Sequence, residues 1–146
     1  MKVIIQRVSR ASVEINSSVY SSINSGIVIF LGIKKGDKIQ DVDNFVDKIL
    51  KLRIFEDSNG KMNLSIHDVQ GEILIISQFT LYADTKHGNR PSFFESETPI
   101  LAEKIYNQFV NYISQTKTIV KTGQFGAMMN VNLVNNGPVT IEMENI

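Results

Sequence analysis

Three short segments carry chemically capable residues at spacings that a core does not require. In Ser77-Gln78-Phe79-Thr80-Leu81, hydroxyl and amide side chains interrupt the end of an apolar run. Strand alternation sets Ser77, Phe79 and Leu81 on one face and Gln78 and Thr80 on the other. Such a wall offers hydroxyl, amide and backbone N–H groups to a small polar ligand, and it is also what a strand leaving the core at its wet end looks like. In Asn135-Asn136-Gly137-Pro138-Val139-Thr140, Gly has no side chain and Pro no N–H. That pair can present bare carbonyls to a ligand, particularly across a cis bond, which is low in cost only before proline. The same dipeptides also mark a plain turn before a last strand. In Gly123-Gln124-Phe125-Gly126-Ala127-Met128-Met129, small residues around Phe125 and polarizable Met side chains could sandwich an aromatic ring such as a nucleobase, or Met128 and Met129 could simply be strand residues.

Other chemistries lack their residues. The chain has no G-x-G-x-x-G, G-x-x-x-x-G-K-[ST] or G-x-S-x-G motif. Zero cysteines exclude disulfides, thiolate nucleophiles and Cys-ligated metals. Of the two histidines, His67 precedes Asp68 in a turn and His87 sits in Thr85-Lys86-His87-Gly88-Asn89. Neither has the spacing of helical metal ligands, and both read most simply as exposed loop residues. No metal site and no cofactor are expected.

The elements that must position these segments read as a strand-dominated α+β domain. Val3 to Val8 and Ala11 to Ile15 are β-type runs with a bend at Arg10, and Ser17-Ser18 and Ser21 to Gly26 are turn-rich. Ile27 to Ile33 is an apolar strand. Asp37 with Gln40 three residues on forms a capping-box variant. Ile39, Val42, Phe45, Val46, Ile49 and Leu50 then keep helical spacing. Arg53 to Phe55 reads as strand, Asn59-Gly60 as a tight turn, and Glu72 to Tyr82 as one long strand buried on both faces at Ile73 to Ile76. Thr98-Pro99 opens a second helix with the stripe Leu101, Ala102, Ile105, Tyr106, Phe109 and Ile113. Ile119 to Lys121, Met128 to Val134 and Val139 to Met143 close the chain as strands.

With 146 residues the chain makes a single domain, 1–146. Hydrophobic residues at 42% and charged residues at 21% exclude a disordered tail. Fifteen Lys and Arg against fifteen Asp and Glu leave no net field to gather phosphates, so any nucleic-acid contact is local. No apolar run approaches the roughly 18 residues of a membrane span. The start, Met1 to Val8, lacks the apolar core and cleavage site of a signal peptide. A cytoplasmic protein without a membrane partner is expected.

Taken in order, these motifs resemble the D-aminoacyl-tRNA deacylase family, carboxylic ester hydrolases that remove D-amino acids from mischarged tRNA. The resemblance runs from Met1 almost to the C-terminus, through Ile5-Gln6-Arg7-Val8, Arg53-Ile54-Phe55, Gly60-Lys61-Met62-Asn63, Ser77 to Leu81, Arg90-Pro91-Ser92-Phe93 and Asn135 to Thr140. One departure is Asn136, where many members carry Asp.

The resemblance implies a compact β-barrel-like α+β domain with two main helices, working as a homodimer with active sites at the subunit interface. It implies that Gly137 and Pro138, joined by a cis bond, reach into the other subunit's pocket as the chiral selector, with Arg7 bracing their loop. Ser77, Gln78, Phe79 and Thr80 would line the ester site, with oxyanion donors near Phe79 and Thr80. Phe125 and Met129 would hold the terminal adenine. The partner would be a tRNA acceptor end carrying a D-amino acid or glycine, because glycine has no side chain to exclude. Thr80 can be read as nucleophile or bystander. Its motif offers no base to activate a threonine hydroxyl, which favours the bystander role, with the 2′-hydroxyl of the terminal ribose helping to activate water. Lys86, Arg90, Lys117 and Lys121 would be the local phosphate contacts. Two other functions fit parts of the chain: a non-catalytic RNA-end binding module, and a serine-type esterase using Ser92 or Ser77 with His87.

Overall fold

The computed structural model describes residues 1–145. Its spine is β1 (Lys2–Ile15), a single strand where two were expected. Along one edge β1 pairs antiparallel with β8 (Asn130–Glu144) from Lys2↔Glu144 to Glu14↔Asn130. Its other edge is divided: Lys2 to Val8 pair with β3 (Gly26–Gly32), and Ala11 to Ile15 with β2 (Ser18–Ile23). The Ser-rich stretch expected to be a turn is therefore largely strand, and the turn itself narrows to Asn16 and Ser17, both at positive φ.

The expected bend at Arg10 is a bulge. Alternation carries Val3, Ile5 and the buried Arg7 on one face and Val8 on the other. A register shift against β8 between Val8 and Arg10 then changes the parity, so Ala11 and Val13 join Val8. One strand thus feeds two apolar clusters.

β3 continues in parallel to β6 (Glu72–Ser77), and β6 to β7 (Val120–Thr122). Both β3 and β6 are buried on both faces: Ile27, Ile29, Ile73 and Ile75 face one cluster, and Val28, Leu74 and Ile76 the other. The sheet curls until the Ser21 hydroxyl donates to the Thr122 carbonyl at 2.7 Å, giving a nearly closed, barrel-like α+β domain. Helices α1 (Val42–Leu50) and α2 (Pro99–Ser114) cover the first cluster with Phe45, Ile49, Ile105 and Phe109.

Helix α1 starts later than its spacing predicts, because Ile39–Asp41 form a 3-10 turn. Asp37 caps nothing there. Its carboxylate accepts the Lys34 N–H at 2.7 Å and the Met1 amino group at 2.5 Å. β4 (Phe55–Glu56) and β5 (Met62–Leu64) form a short hairpin across Asn59-Gly60. No helix among the described residues is long and apolar enough to cross a membrane.

Candidate active site

The first half of the site begins where β6 stops. Ser77 makes the last pair with β3, opposite Leu31, and the Gln78 N–H donates to the Leu31 carbonyl at 2.8 Å. Phe79–Tyr82 then coil into a 3-10 turn, so the long strand expected as far as Tyr82 ends five residues early. Strand alternation consequently does not govern Phe79, Thr80 and Leu81. What the turn supplies is the pair of N–H groups of Phe79 and Thr80 at its head, which have no carbonyl one turn earlier to bond.

Side chains hold this turn from two sides. The Gln78 amide donates to the Thr80 hydroxyl. The Ser96 hydroxyl donates to the Phe79 carbonyl at 3.0 Å, and the Phe79 and Phe93 rings meet edge-on with centroids 5.0 Å apart. The segment carrying Phe93 and Ser96 is fastened to the end of β3 through Lys35 N–H to Glu95 O and Glu97 N–H to Ile33 O, both 2.9 Å. Ser96 gave no signal in the sequence, since a lone Ser before a helix cap has many ordinary uses.

The turn borders a cleft of about 760 Å³ whose lining includes Ser77, Gln78, Phe79, Phe93, Phe125 and Met129. Phe125 is backed by Tyr106, ring centroids 5.7 Å apart, and the Tyr106 hydroxyl donates to the Ile75 carbonyl at 3.0 Å. Burial pushes the Tyr106 phenol up, so it stays a neutral donor. Gly123 lets Met129 lie close: a Cβ there would stand 2.7 Å from the Met129 sulfur. Met128, 91% exposed, stands at the mouth. The ends of this wall are polar and its body is apolar, the usual make-up of a small-molecule site.

The second half lies on β8. The ladder with β1 runs to Asn135, opposite Val8, and resumes at Thr140, opposite Gln6. Residues 136–139 bulge out against Arg7 alone. The Gly137–Pro138 peptide is cis. Gly137 adopts φ +138°, and a Cβ on it would stand 2.8 Å from the Val139 Cγ2 and 3.0 Å from the Arg7 Nη2. Arg7 is 7% exposed, the only buried charged side chain among the described residues. Its Nε donates to the Asn136 carbonyl at 2.9 Å and its Nη1 to the Ile54 carbonyl at 2.7 Å, with Glu56 4.0 Å from Nη2. A forked, permanently charged donor suits two carbonyls in one buried place.

The predicted residues thus fall into two groups within one chain. Ser77, Gln78, Phe79, Phe125 and Met129 share the cleft, with Thr80 tied to it through Gln78. Arg7, Gly137 and Pro138 share the excursion and do not line that cleft. A smaller hollow of about 370 Å³ between β1, β2 and β8 contains none of them. Neither histidine lines the cleft: His67 meets the Thr118 hydroxyl at 3.0 Å, and His87 lies in an exposed loop. Ser92 is held by paired backbone bonds to Asp84, and His87 bonds to neither Ser92 nor Ser77 among the described residues. Among those residues no three His, Asp or Glu side chains stand together as a metal site would need.

The structure defines a barrel-like α+β domain with a polar-ended strand over an apolar cleft, and comparison with known proteins gives its family. The family model described as D-Tyr-tRNA(Tyr) deacylase matches residues 4–144. The D-aminoacyl-tRNA deacylase of Aquifex aeolicus is 52% identical over 141 residues, 97% of this chain and 95% of that protein. The one from Thermosipho africanus is 48% identical over 144 residues, 99% and 97% of the two chains. A solved structure of c-Myc DNA Unwinding Element Binding Protein superposes with a TM-score of 0.94 at 42% identity, covering 100% of this chain and 99% of that one. A structure described as a probable eukaryotic D-amino acid tRNA deacylase shares the fold, TM-score 0.81 at 16% identity over 97% of each chain. The chain belongs to the D-Tyr-tRNA(Tyr) deacylase family and is a hydrolase.

Proposed function

We propose that this chain hydrolyses the ester bond of D-aminoacyl-tRNA, releasing the free amino acid and tRNA, and that it sorts esters by chirality with two copies of the chain. The observation that carries this reading is the shared cleft, where Phe79 at the head of the Phe79–Tyr82 turn lines the same space as Phe125 and Met129. Phe125 and Met129 suit the terminal adenine, an aromatic ring stacked between soft side chains. The N–H groups of Phe79 and Thr80 suit the oxyanion that forms when water attacks the ester carbonyl.

In this mechanism the protein contributes position and electrostatics. Ser77 and Gln78 orient the aminoacyl end. The 2′-hydroxyl of the terminal ribose helps position and activate water. Thr80 is a bystander, since its hydroxyl accepts from Gln78 and has no base beside it. The catalytic contribution sought from the oxyanion donors is on the order of 3 kcal/mol each.

The selector would be the Gly137–Pro138 excursion of a second copy, because in its own chain the excursion does not line the cleft. Its carbonyls, with no side chain on Gly137 and no N–H on Pro138, meet an L side chain with a clash and leave a D side chain pointing outward. Rejection by clash takes no account of which side chain is attached. It also admits glycine, so glycyl-tRNA is a substrate as well. Lys86, Arg90, Lys117 and Lys121 provide the few phosphate contacts, and binding weakens gently with salt, by about 0.7 per neutralised phosphate on a log–log plot.

The test is hydrolysis of matched D- and L-tyrosyl-tRNA and glycyl-tRNA by purified protein without added metal. Loss of the D and glycyl esters with the L ester spared is expected. Binding of tRNA without cleavage would instead identify an RNA-end binding module. Equal cleavage of both enantiomers with dependence on His87 would identify a serine-type esterase.

A further inference from the structure

The excursion on β8 leaves polar backbone groups without their ladder partners, and such groups need others. Arg7 takes the carbonyl at its first residue, Asn136. At its last residue a single side chain engages both backbone groups. The Asn135 Oδ1 accepts the Val139 N–H at 2.7 Å, and the Asn135 Nδ2 donates to the Val139 carbonyl at 3.3 Å and to the Thr140 hydroxyl at 3.0 Å. A carboxamide presents one donor group and one acceptor side by side, as a peptide does, so it stands in for the two-bond backbone pair that the ladder has lost. The Thr140 hydroxyl also accepts from the Gln6 amide at 3.2 Å, which ties the clamp back to β1.

Between these two clamps lie only Gly137 and Pro138. Gly137 has no side chain to steady it, so the places of their carbonyls are set from Asn136 and Val139. We propose that Asn135 is a positioning residue for stereospecificity, its carboxamide fixing the Gly137–Pro138 carbonyls at the point where an L side chain must clash. This rests on the selector role argued above. Other residues of similar size fail on chemical grounds. Asp keeps an acceptor for the Val139 N–H but turns a second acceptor toward the Val139 carbonyl, and Leu offers neither group.

The experiment compares kcat/KM for D-tyrosyl-, L-tyrosyl- and glycyl-tRNA in the native protein, Asn135→Asp and Thr140→Val, with thermal unfolding alongside. For Asn135→Asp the D/L ratio falls roughly tenfold, the effect of about one lost hydrogen bond. Most of that fall comes from faster L hydrolysis, which a merely structural role does not produce. Thr140→Val removes one partner only and lowers the ratio by a smaller factor. If Asn135→Asp fails to fold, Thr140→Val decides. A variant that unfolds earlier but keeps the native D/L ratio overturns the positioning role. A native protein that cleaves D and L esters equally removes the selector itself, a separate failure visible before any variant is made.

Discussion

Across the cleft, Ser77, Gln78 and Phe79 face Phe125 and Met129 over an open space of about 760 Å³, and much of its lining is aromatic rings and a thioether. At the β8 excursion the backbone is held by polar bonds instead. Arg7 bonds to Asn136, and Asn135 to Val139, at 2.7 to 3.3 Å, around a glycine whose missing Cβ is already crowded. The cleft can yield to whatever ring enters it, since Met and Phe side chains shift at small cost. The excursion cannot yield without breaking the bonds made by the buried Arg7 and by Asn135. Under the proposed function, a surface that accepts many acceptor ends would benefit from the first design, and one that refuses every L side chain would need the second.

The comparison is broken most severely at Arg7. Arg7→Ala leaves the part-buried carbonyl of Asn136 and the buried carbonyl of Ile54 without their charged donor, and about 3 kcal/mol of unfolding free energy should be lost in urea titration. The D/L ratio should collapse with it. Arg7→Lys restores the charge without the fork and should recover only part of either. A loss under about 1 kcal/mol would show that the excursion stands without this clamp.

In the cleft, Phe125→Ala should raise KM for tRNA roughly tenfold while kcat changes little, since stacking on a base contributes about 1–3 kcal/mol. A pure kcat effect would move the ring from binding to chemistry. Thr80→Val should cost less than about tenfold in kcat, well short of the 10²–10⁴ expected from losing a general base or nucleophile. Retained fold with nearly all activity gone would make Thr80 the nucleophile.

The smallest effect sharpens the edge of the rigid region, at the hairpin that carries Ile54 and Glu56 toward Arg7. The Asn63 amide, with the N–H groups of Lys61 and Asn59, holds the Asp57 carboxyl below its usual 3.8. A lowered folded pKa stabilises fully above the unfolded value and is lost as pH falls through the folded one. Melting temperature should therefore drop on acidification below about pH 4, and less so in Asp57→Asn. An identical acid limb in both proteins would mean that this turn adds nothing.

Much of this was legible in the sequence, for reasons that differ by region. Unbroken apolar runs exposed β3 and the buried half of β6, which pack on both faces, and helical spacing exposed both helices, whose apolar residues answer to one packing direction each. It overran β6, since Phe79 and Leu81 continue a strand-like alternation into a 3-10 turn that Ser96 and Gln78 enforce from outside the segment. It split β1 at Arg10 because a bulge and a bend look alike in one strand's pattern. Residue types marked Ser77 to Thr80, Phe125, Met129, Gly137 and Pro138 as unusual, and the family resemblance gave them roles. Pairing information was not legible. Nothing in the spacing of Asn135 and Val139 reveals that one amide would engage both backbone groups of the other, and nothing local ties Ser96 to Phe79.

In the proposed division of labour, an open, yielding cleft performs the ester chemistry while a rigid excursion from a second copy refuses L side chains. Parallel hydrolysis of D-tyrosyl-, L-tyrosyl- and glycyl-tRNA by the native protein tests it most directly. The D and glycyl esters should disappear while the L ester survives. Cleavage of the L ester at the rate of the D ester would contradict it.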